Sequence, residues 1–456
     1  MSKSDMDENT QKEYFELLKF ESVGADPAKL KDCTACAMWL KDWLKKLDFA
    51  GELILAKGSF APPVLFAQRP GDEGASTILF YGHYDVQPAD PIESWKTPPF
   101  EPTIIGDRIY CRGSQDDKGQ FFAFLQGLAD YLETAPEGKR PTIKIVLEGQ
   151  EESGSEALMK LAQTDLRKSL AADVLLVCDT SAAAGLRPAI VAGLRGVSHF
   201  TVKLFGANRD LHSGEYGAIA PNAAQAIAEL VASLHTPSGA IAVAGFMDGV
   251  EMPSEEEKAE AEKNAPSAED YEKDIGCAPV GGEEGKSIVE RNSFLPTIEV
   301  NGIHSGYGGP GAKTVIAPEA FAKISMRLVP GQNPRRVFEA VKAHLEANTP
   351  RGMRLEIEDW NPGAGGFRLP LASPLFRLAS EVLKEMDPRG PVFHWDGASI
   401  PVVSILKEAS GAAPLIVGRG SRKIESIHRT RVIRLHSLRS HATGRAEFWR
   451  RCDSIY

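Results

Sequence analysis

The chain predicts an α/β protein whose mainly parallel sheet is flanked by helices and interrupted by a smaller α+β sandwich. Three observations point there. Between residues 63 and 180, short apolar, β-branched runs alternate with helical patterns, which implies a mainly parallel sheet. Beyond Gly193-Leu194-Arg195-Gly196 the pattern changes: His199–Phe205 places Phe200, Val202 and Leu204 at every second position, as in a sheet with one wet face. After Pro362-Gly363-Ala364-Gly365-Gly366 the α/β pattern returns.

In order along the chain, residues 12–48 carry apolar and charged positions at helical spacing and predict opening helices. Strands are predicted at Pro63–Ala67, Ser76–Tyr81, Thr142–Glu148 and Val174–Cys178, with helices at Gln120–Thr134 and Glu156–Ala162 between them. The inserted part predicts strands at His199–Phe205, Thr297–Asn301, Ala322–Leu328 and Arg354–Asp359. Two helices, Pro221–Leu234 and Val337–Asn348, accompany them. Residues 250–290 are charged and low in aromatics, including Ser254-Glu255-Glu256-Glu257-Lys258, and read as an exposed helical excursion. A helix at Pro374–Met386 and the loop Asp396-Gly397-Ala398-Ser399-Ile400-Pro401 follow. The expected domains are residues 1–195 with 365–456, and an insert spanning 196–364.

A chain of 456 residues is too long for one ordinary core, so two domains are expected. With 43% hydrophobic and 25% charged residues, the composition is that of a soluble globular protein. Lys+Arg 52 against Asp+Glu 62 gives a net charge of −10, which argues against general nucleic-acid or anionic-membrane binding. The first residues lack a basic segment followed by an apolar one, and no run approaches ~18 apolar residues, so a cytoplasmic protein is expected. Six cysteines in a chain this long do not make a disulfide framework. Cys33 and Cys36 stand at C-x-x-C spacing in the helical stretch Lys31–Leu47. With no second such pair they read as ordinary thiols on one helix, and Cys178, alternating with Asp179, should point away from it.

Four acidic or imidazole clusters follow apolar runs or glycine turns, at the ends of predicted buried strands. They are His83-Tyr84-Asp85, Asp116-Asp117-Lys118-Gly119, Glu151-Glu152-Ser153-Gly154 and Asp179. Strand ends are where open α/β sheets build sites. Carboxylates so costly to bury need compensation, and a divalent metal compensates well. On a strand His83 and Asp85 share a face, so the carboxylate can accept the imidazole N–H and fix its tautomer. Asp116-Asp117 alone would read as a solvated turn. Glu151-Glu152 is harder to set aside, because Ile143-Lys144-Ile145-Val146-Leu147 before it reads as an interior strand. There one carboxylate can ligate while the other works as a base.

Together these motifs resemble the di-zinc aminoacylase and carnosine-dipeptidase family of metallopeptidases, over about residues 12–420. The matches are the H-x-D loop, the R-G-x-x-D-D-K-G loop, the E-E-S-G-S loop and Asp179. To these are added Asp210-Leu211-His212-Ser213-Gly214, Arg327-Leu328-Val329-Pro330 and the G-x-S-I-P turn. The resemblance implies a zinc-peptidase catalytic domain with an inserted dimerisation (lid) domain. It implies two Zn2+ per subunit, or Mn2+ or Co2+, held by His83, Asp116, Glu152 and Asp179. Asp116 would bridge, His83 and Asp179 would serve separate ions, and Glu152 would lie opposite Asp179. Asp85 would orient His83, and Glu151 would be the general base acting on a metal-polarised water. The Asp116–Asp117 bond is cis in relatives. In dimeric relatives the residue matching His212 reaches the partner's site and stabilises the oxyanion, and Arg327, with Thr314 and Ser399, would hold the substrate carboxylate. The implied activity is hydrolysis of dipeptides or similar small amides by a cytoplasmic homodimer. An N-acyl amino acid deacylase and an inactive dimeric relic are the alternatives.

The tail departs from the resemblance, which calls for one more His in a loop such as Glu-Asp-x-x-His-Ser-x-Asn-Glu after a G-x-G turn. Val417–Ser421 supplies the turn, but Lys423-Ile424-Glu425-Ser426-Ile427-His428-Arg429-Thr430-Arg431 follows. Codons for Glu-Asp-Arg-Ile-His-Ser-Pro-Asn-Glu, read one base later, encode that nine-residue string. Residues 422–456 also carry nine Lys/Arg against Glu425, Glu447 and Asp453, in a chain that is acidic overall. A reading-frame slip near Ser421 is therefore expected, with the ligand position falling at Ile427 and His428 beside it.

Overall fold

The computed structural model describes residues 7–418, apart from 59, 137, 139, 181, 184–186 and 398, together with the backbone of Val432–Arg434. In chain order the elements begin with α1 (Glu8–Leu18), α2 (Leu30–Lys45), β1 (Ala50–Ile54), β2 (Val64–Arg69) and β3 (Thr77–His83). They continue with β4 (Thr103–Ile105), β5 (Arg108–Tyr110), α3 (Lys118–Thr134), β6 (Thr142–Glu148), α4 (Glu156–Gln163), β7 (Val174–Val177) and β8 (Ala189–Leu194). The middle of the chain forms β9 (Gly196–Phe205), β10 (Leu211–His212), α5 (Ser213–Tyr216), α6 (Ala223–Ala232), α7 (Glu255–Asn264) and α8 (Ala268–Ile275). Then come β11 (Thr297–Ser305), β12 (Val315–Ile316), β13 (Glu319–Leu328), α9 (Pro334–Ala347), β14 (Arg354–Ala364) and β15 (Phe367–Arg368). The chain closes with α10 (Pro374–Met386), β16 (Val392–Asp396), α11 (Pro401–Ser410), β17 (Ala413–Gly418) and β18 (Val432–Arg434).

Among the described residues the fold gathers into two units. One comprises residues up to Ala192, Leu369–His394 and Ile405 onward; the other comprises Gly193–Arg368 and Trp395–Ser404. The sequence expectation placed the boundaries at 195 and 364 and did not assign the 395–404 segment to the second unit.

The first unit is built on a sheet in the order β1-β2-β6-β3-β7-β17-β8. Its centre, β6-β3-β7-β17, is parallel, while β1, β2 and β8 join antiparallel. Parallel neighbours need helical crossovers, and α3 and α4 supply those from β3 to β6 and from β6 to β7. Helices on both faces leave β3 and β7 buried along nearly their whole length, which is why they read as apolar runs without alternation. Phe122 of α3 stacks on Tyr14 at 5.9 Å and meets Trp43 edge-on at 5.4 Å, tying the opening helices to the crossover.

The second unit holds an antiparallel sheet in the order β11-β13-β9-β14. Its inward residues Phe200, Val202, Leu204, Ile324 and Met326 pack with Ile227 and Leu230 of α6 and Val337 and Val341 of α9. That is the alternation read from His199–Phe205. α7 and α8 lie in the charged excursion, each started by a capping box, Ser254 with Glu257 and Ser267 with Asp270.

Candidate metal centre

Three adjacent parallel strands decide where the site forms. β3 lies between β6 and β7, and the register pairs Tyr81 with Val177 and His83 with Glu148. Strands in a sheet are ~4.8 Å apart, so the residues just past the three carboxyl ends are brought into one cluster. His83 ends β3, the turn Glu151–Ser153 follows β6, and Asp179 lies two residues beyond β7. Asp116 and Asp117 precede α3, joined by a cis peptide bond as in the relatives implied by the motifs.

The His83 ring is fully buried and engaged on both sides. Nδ1 lies 3.2 Å from Asp85 Oδ1; Nε2 lies 3.1 Å from Asp116 Oδ1, 3.7 Å from Asp179 Oδ2 and 4.0 Å from Glu151 Oε2. Ligand atoms of His83, Asp116 and Asp179 all fall within 4.8 Å of one another. Donors around a tetrahedral zinc at ~2.1 Å sit roughly 3.4 Å apart, so these three fit one cation. The expectation had His83 and Asp179 serving separate ions; strand adjacency brings them within reach of the same one.

Asp85 is the anchor of the cluster. Beside His83, its Oδ1 accepts the Glu151 backbone N–H at 3.1 Å and its Oδ2 accepts that of Glu152 at 3.1 Å. One carboxylate therefore orients the imidazole and fixes the turn carrying both glutamates. Glu151 and Glu152 sit on a single 3-10 turn. Glu152 does not join the three-ligand group; its Oε2 accepts from Gln87 Nε2 at 2.8 Å.

Sequence reasoning missed Gln87. It also missed Asp117, whose Oδ2 accepts the His83 backbone N–H at 3.3 Å, and Glu148, whose Oε1 accepts from Tyr81 Oη at 2.8 Å and Ser155 Oγ at 2.9 Å. Glu148 had a signal, a charge closing an apolar strand; Gln87 had none.

The electrostatics are those of crowded acids out of water. Burial, opposed by His83 and reinforced by Asp179, pushes the Glu151 carboxyl up to about 8. Burial also raises Glu152, and burial with Asp179 lifts Asp117 well above the carboxylate range. For His83, burial disfavours the imidazolium, but the charges of Asp179 and Asp85 outweigh it and hold the ring well above its usual range. Acids crowded this closely out of water are relieved by a divalent cation.

The remaining candidates lie in the second unit as two pairs. His212 is exposed; its Nδ1 accepts from the Gly214 backbone N–H at 3.1 Å, capping α5, and its Nε2 lies 3.2 Å from Thr314 Oγ1. An Arg327 guanidinium N–H donates to Ser399 Oγ at 2.8 Å. Thr314 is thus bonded to His212, while the expectation grouped it with Arg327 and Ser399 around the substrate carboxylate. The expected ligand position at Ile427, with His428, lies outside the described residues, as does the reading-frame expectation.

A mainly parallel α/β sheet with acids and an imidazole converging at its carboxyl edge defines a metallopeptidase. A sequence model of peptidase family M20/M25/M40 matches residues 79–428, and the chain belongs to that family. It is 28% identical over 370 residues to a beta-Ala-His dipeptidase of Rattus norvegicus, covering 79% of this chain and 74% of the relative. It is 29% identical over 433 residues to the Cys-Gly metallodipeptidase DUG1 of Candida albicans, covering 89% and 87%. Among solved structures, the M20 family metallo-carboxypeptidase Sso-CP2 from Sulfolobus solfataricus superposes with a TM-score of 0.82 at 28% identity, covering 98% of this chain and 100% of that one.

Proposed function

We propose that the chain hydrolyses dipeptides bearing a free terminal carboxylate, using two zinc ions held by His83, Asp116, Glu152 and Asp179. The observation that carries this is the convergence of His83, Asp116 and Asp179, with the Glu151 carboxylate 4.0 Å from the same imidazole nitrogen. When bound, the cations supply a polarised water and neutralise charge developing on the scissile carbonyl. Glu151 takes the water's proton and passes it to the leaving amine; burial, which raises its proton affinity, suits it to both steps. Asp85 keeps the imidazole tautomer and the glutamate turn in place. Arg327 and Ser399 hold the substrate carboxylate through the guanidinium fork. His212 acts on the oxyanion of a partner subunit's substrate in a homodimer. Exposed Val300 and Ile303 on the edge strand β11 support such an assembly. The five described cysteines are free, which supports a cytoplasmic setting. No described helix is long and apolar enough to cross a membrane.

The dipeptidase names of the relatives favour peptide over N-acyl amino acid substrates. The reading-frame slip near Ser421 remains part of the proposal: the second ion is short of one ligand in this chain, and correcting the frame restores it. The test is a series comprising beta-Ala-His, Cys-Gly, other dipeptides and N-acyl amino acids. It is assayed after chelation and after adding Zn2+, Mn2+ or Co2+, on this chain and on the frame-corrected one. Metal-dependent dipeptide cleavage, stronger in the corrected chain, is expected. Metal-independent activity, or cleavage of N-acyl amino acids alone, refutes the reading.

A further inference from the structure

We propose that Arg195 is a positioning residue for substrate-carboxylate recognition: it pins the turn carrying Ser399 and thereby aims the Arg327 guanidinium. The role rests on the reading above that Arg327 and Ser399 hold the carboxylate.

The two arginines come from adjoining strand ends. Arg195 immediately precedes β9, whose register pairs Gly196 with Leu328 and Val197 with Arg327. Arg195 is 8% exposed, and among the described residues its guanidinium donates to backbone carbonyls. Nε donates to Gly397 O at 3.0 Å, and a terminal nitrogen donates to Leu295 O at 3.2 Å and Arg291 O at 3.4 Å. One planar fork thus joins the start of β9, the π turn Glu290–Phe294 with Leu295 after it, and Gly397. Gly397 has no slack. A Cβ on Gly397 would lie 2.5 Å from both Asn292 O and Asn292 Oδ1 and 2.9 Å from an Arg195 terminal nitrogen, so only glycine seats there. Two residues further along the chain, Ser399 Oγ accepts from Arg327 at 2.8 Å.

The charges agree with an anion arriving from outside. Among the described residues neither guanidinium forms an ion pair, although the second unit is rich in acids. Burial and the neighbouring Arg327 charge lower Arg195 to about 10, which leaves it cationic at neutral pH. A carboxylate on Arg327 relieves repulsion that Asp396 and Glu299 only partly offset.

The test compares the fastest-cleaved dipeptide of the series above with its C-terminal amide, in the metal-loaded protein. Arg195→Lys keeps a charge but loses the planar fork. It is expected to raise KM for the free acid about tenfold, with kcat within roughly threefold and bound metal unchanged. The acid-to-amide ratio of kcat/KM should fall, and in an Arg327→Ala background Arg195→Lys should add little. Equal losses on acid and amide, or full additivity with Arg327→Ala, overturn the proposal. Should Arg195→Lys fail to fold, Gly397→Ala displaces the same turn: a fallen ratio is expected, and an unchanged one overturns the role. A wild-type protein that does not distinguish acid from amide, or an Arg327→Ala variant that keeps the wild-type ratio, removes the carboxylate reading itself. That failure is visible before any Arg195 variant is made.

Discussion

Replacing Asp85 by asparagine tests the centre at its most connected residue. The carboxylate accepts three N–H groups, from the His83 ring at 3.2 Å and from the Glu151 and Glu152 backbone at 3.1 Å each. An amide has one acceptor oxygen and one NH2. With its oxygen placed at Oδ1, it keeps His83 and Glu151 but turns two donors face to face at Glu152. In the flipped orientation it loses two partners instead of one. A hydrogen bond to a charged group contributes about 1.5–3 kcal/mol, so the milder orientation costs about 2 kcal/mol, roughly thirtyfold in any equilibrium that depends on the preformed turn. Loss of the charge behind the imidazole also weakens metal binding, typically 10–100-fold for such partners. Competition with a chromophoric zinc chelator measures the affinity, and kcat/KM at saturating metal measures the geometry. An Asp85→Asn protein within about threefold of wild type in both would refute the anchoring role.

Glu151→Gln should keep metal binding and lose about 10²–10⁴-fold in kcat, read by metal analysis beside turnover; retained turnover would exclude it as the base. Arg327→Ala should raise KM for dipeptides about 10–100-fold with little change for their amides, checked by steady-state kinetics. The pH dependence has a definite sign. Without metal, the folded protein holds the Glu151 carboxyl at about 8 and Glu148, buried and beside Asp85, at about 7, both above the ordinary 4.5. Folding therefore binds protons: the contribution is full below about pH 4.5 and is lost as pH rises through 7 and 8. Metal-free protein should melt progressively lower over that span. The gap to metal-loaded protein should widen, because the cation no longer has to displace protons. A gap independent of pH would contradict the raised carboxylates.

Much of this was legible in the chain. His83, Asp116, Glu151 and Asp179 stood out because charged residues closed apolar runs, and that placement is costly unless something compensates. Which of them share an ion was not legible. It depends on β3 lying next to β7 in register, and strand order is a tertiary fact that no local pattern encodes. Gln87 and Arg195 act through contacts with residues remote in sequence, so nothing beside them announces a role. The second unit gave its alternation away in β9 and β13. The strands β1, β8 and β17 were passed over, since short runs broken by glycine or proline carry little period.

The geometry also separates two kinds of acid that look alike in sequence. Asp85 has both oxygens taken up by three N–H donors, two of them backbone, so it is built as an anchor. Asp116 and Asp179 direct an oxygen at the far nitrogen of the same imidazole, beside Glu151. Removing water from such a group without adding positive charge drives protons onto it, as the raised Glu151 and Glu152 show. A proton relieves one carboxylate at a time; a divalent cation relieves several and keeps Glu151 able to accept a proton. Metal loading should therefore set the protonation of the centre as well as its chemistry. By the same reasoning, a change on the Asp85 side should act through geometry, and a change on the Asp179 side through charge.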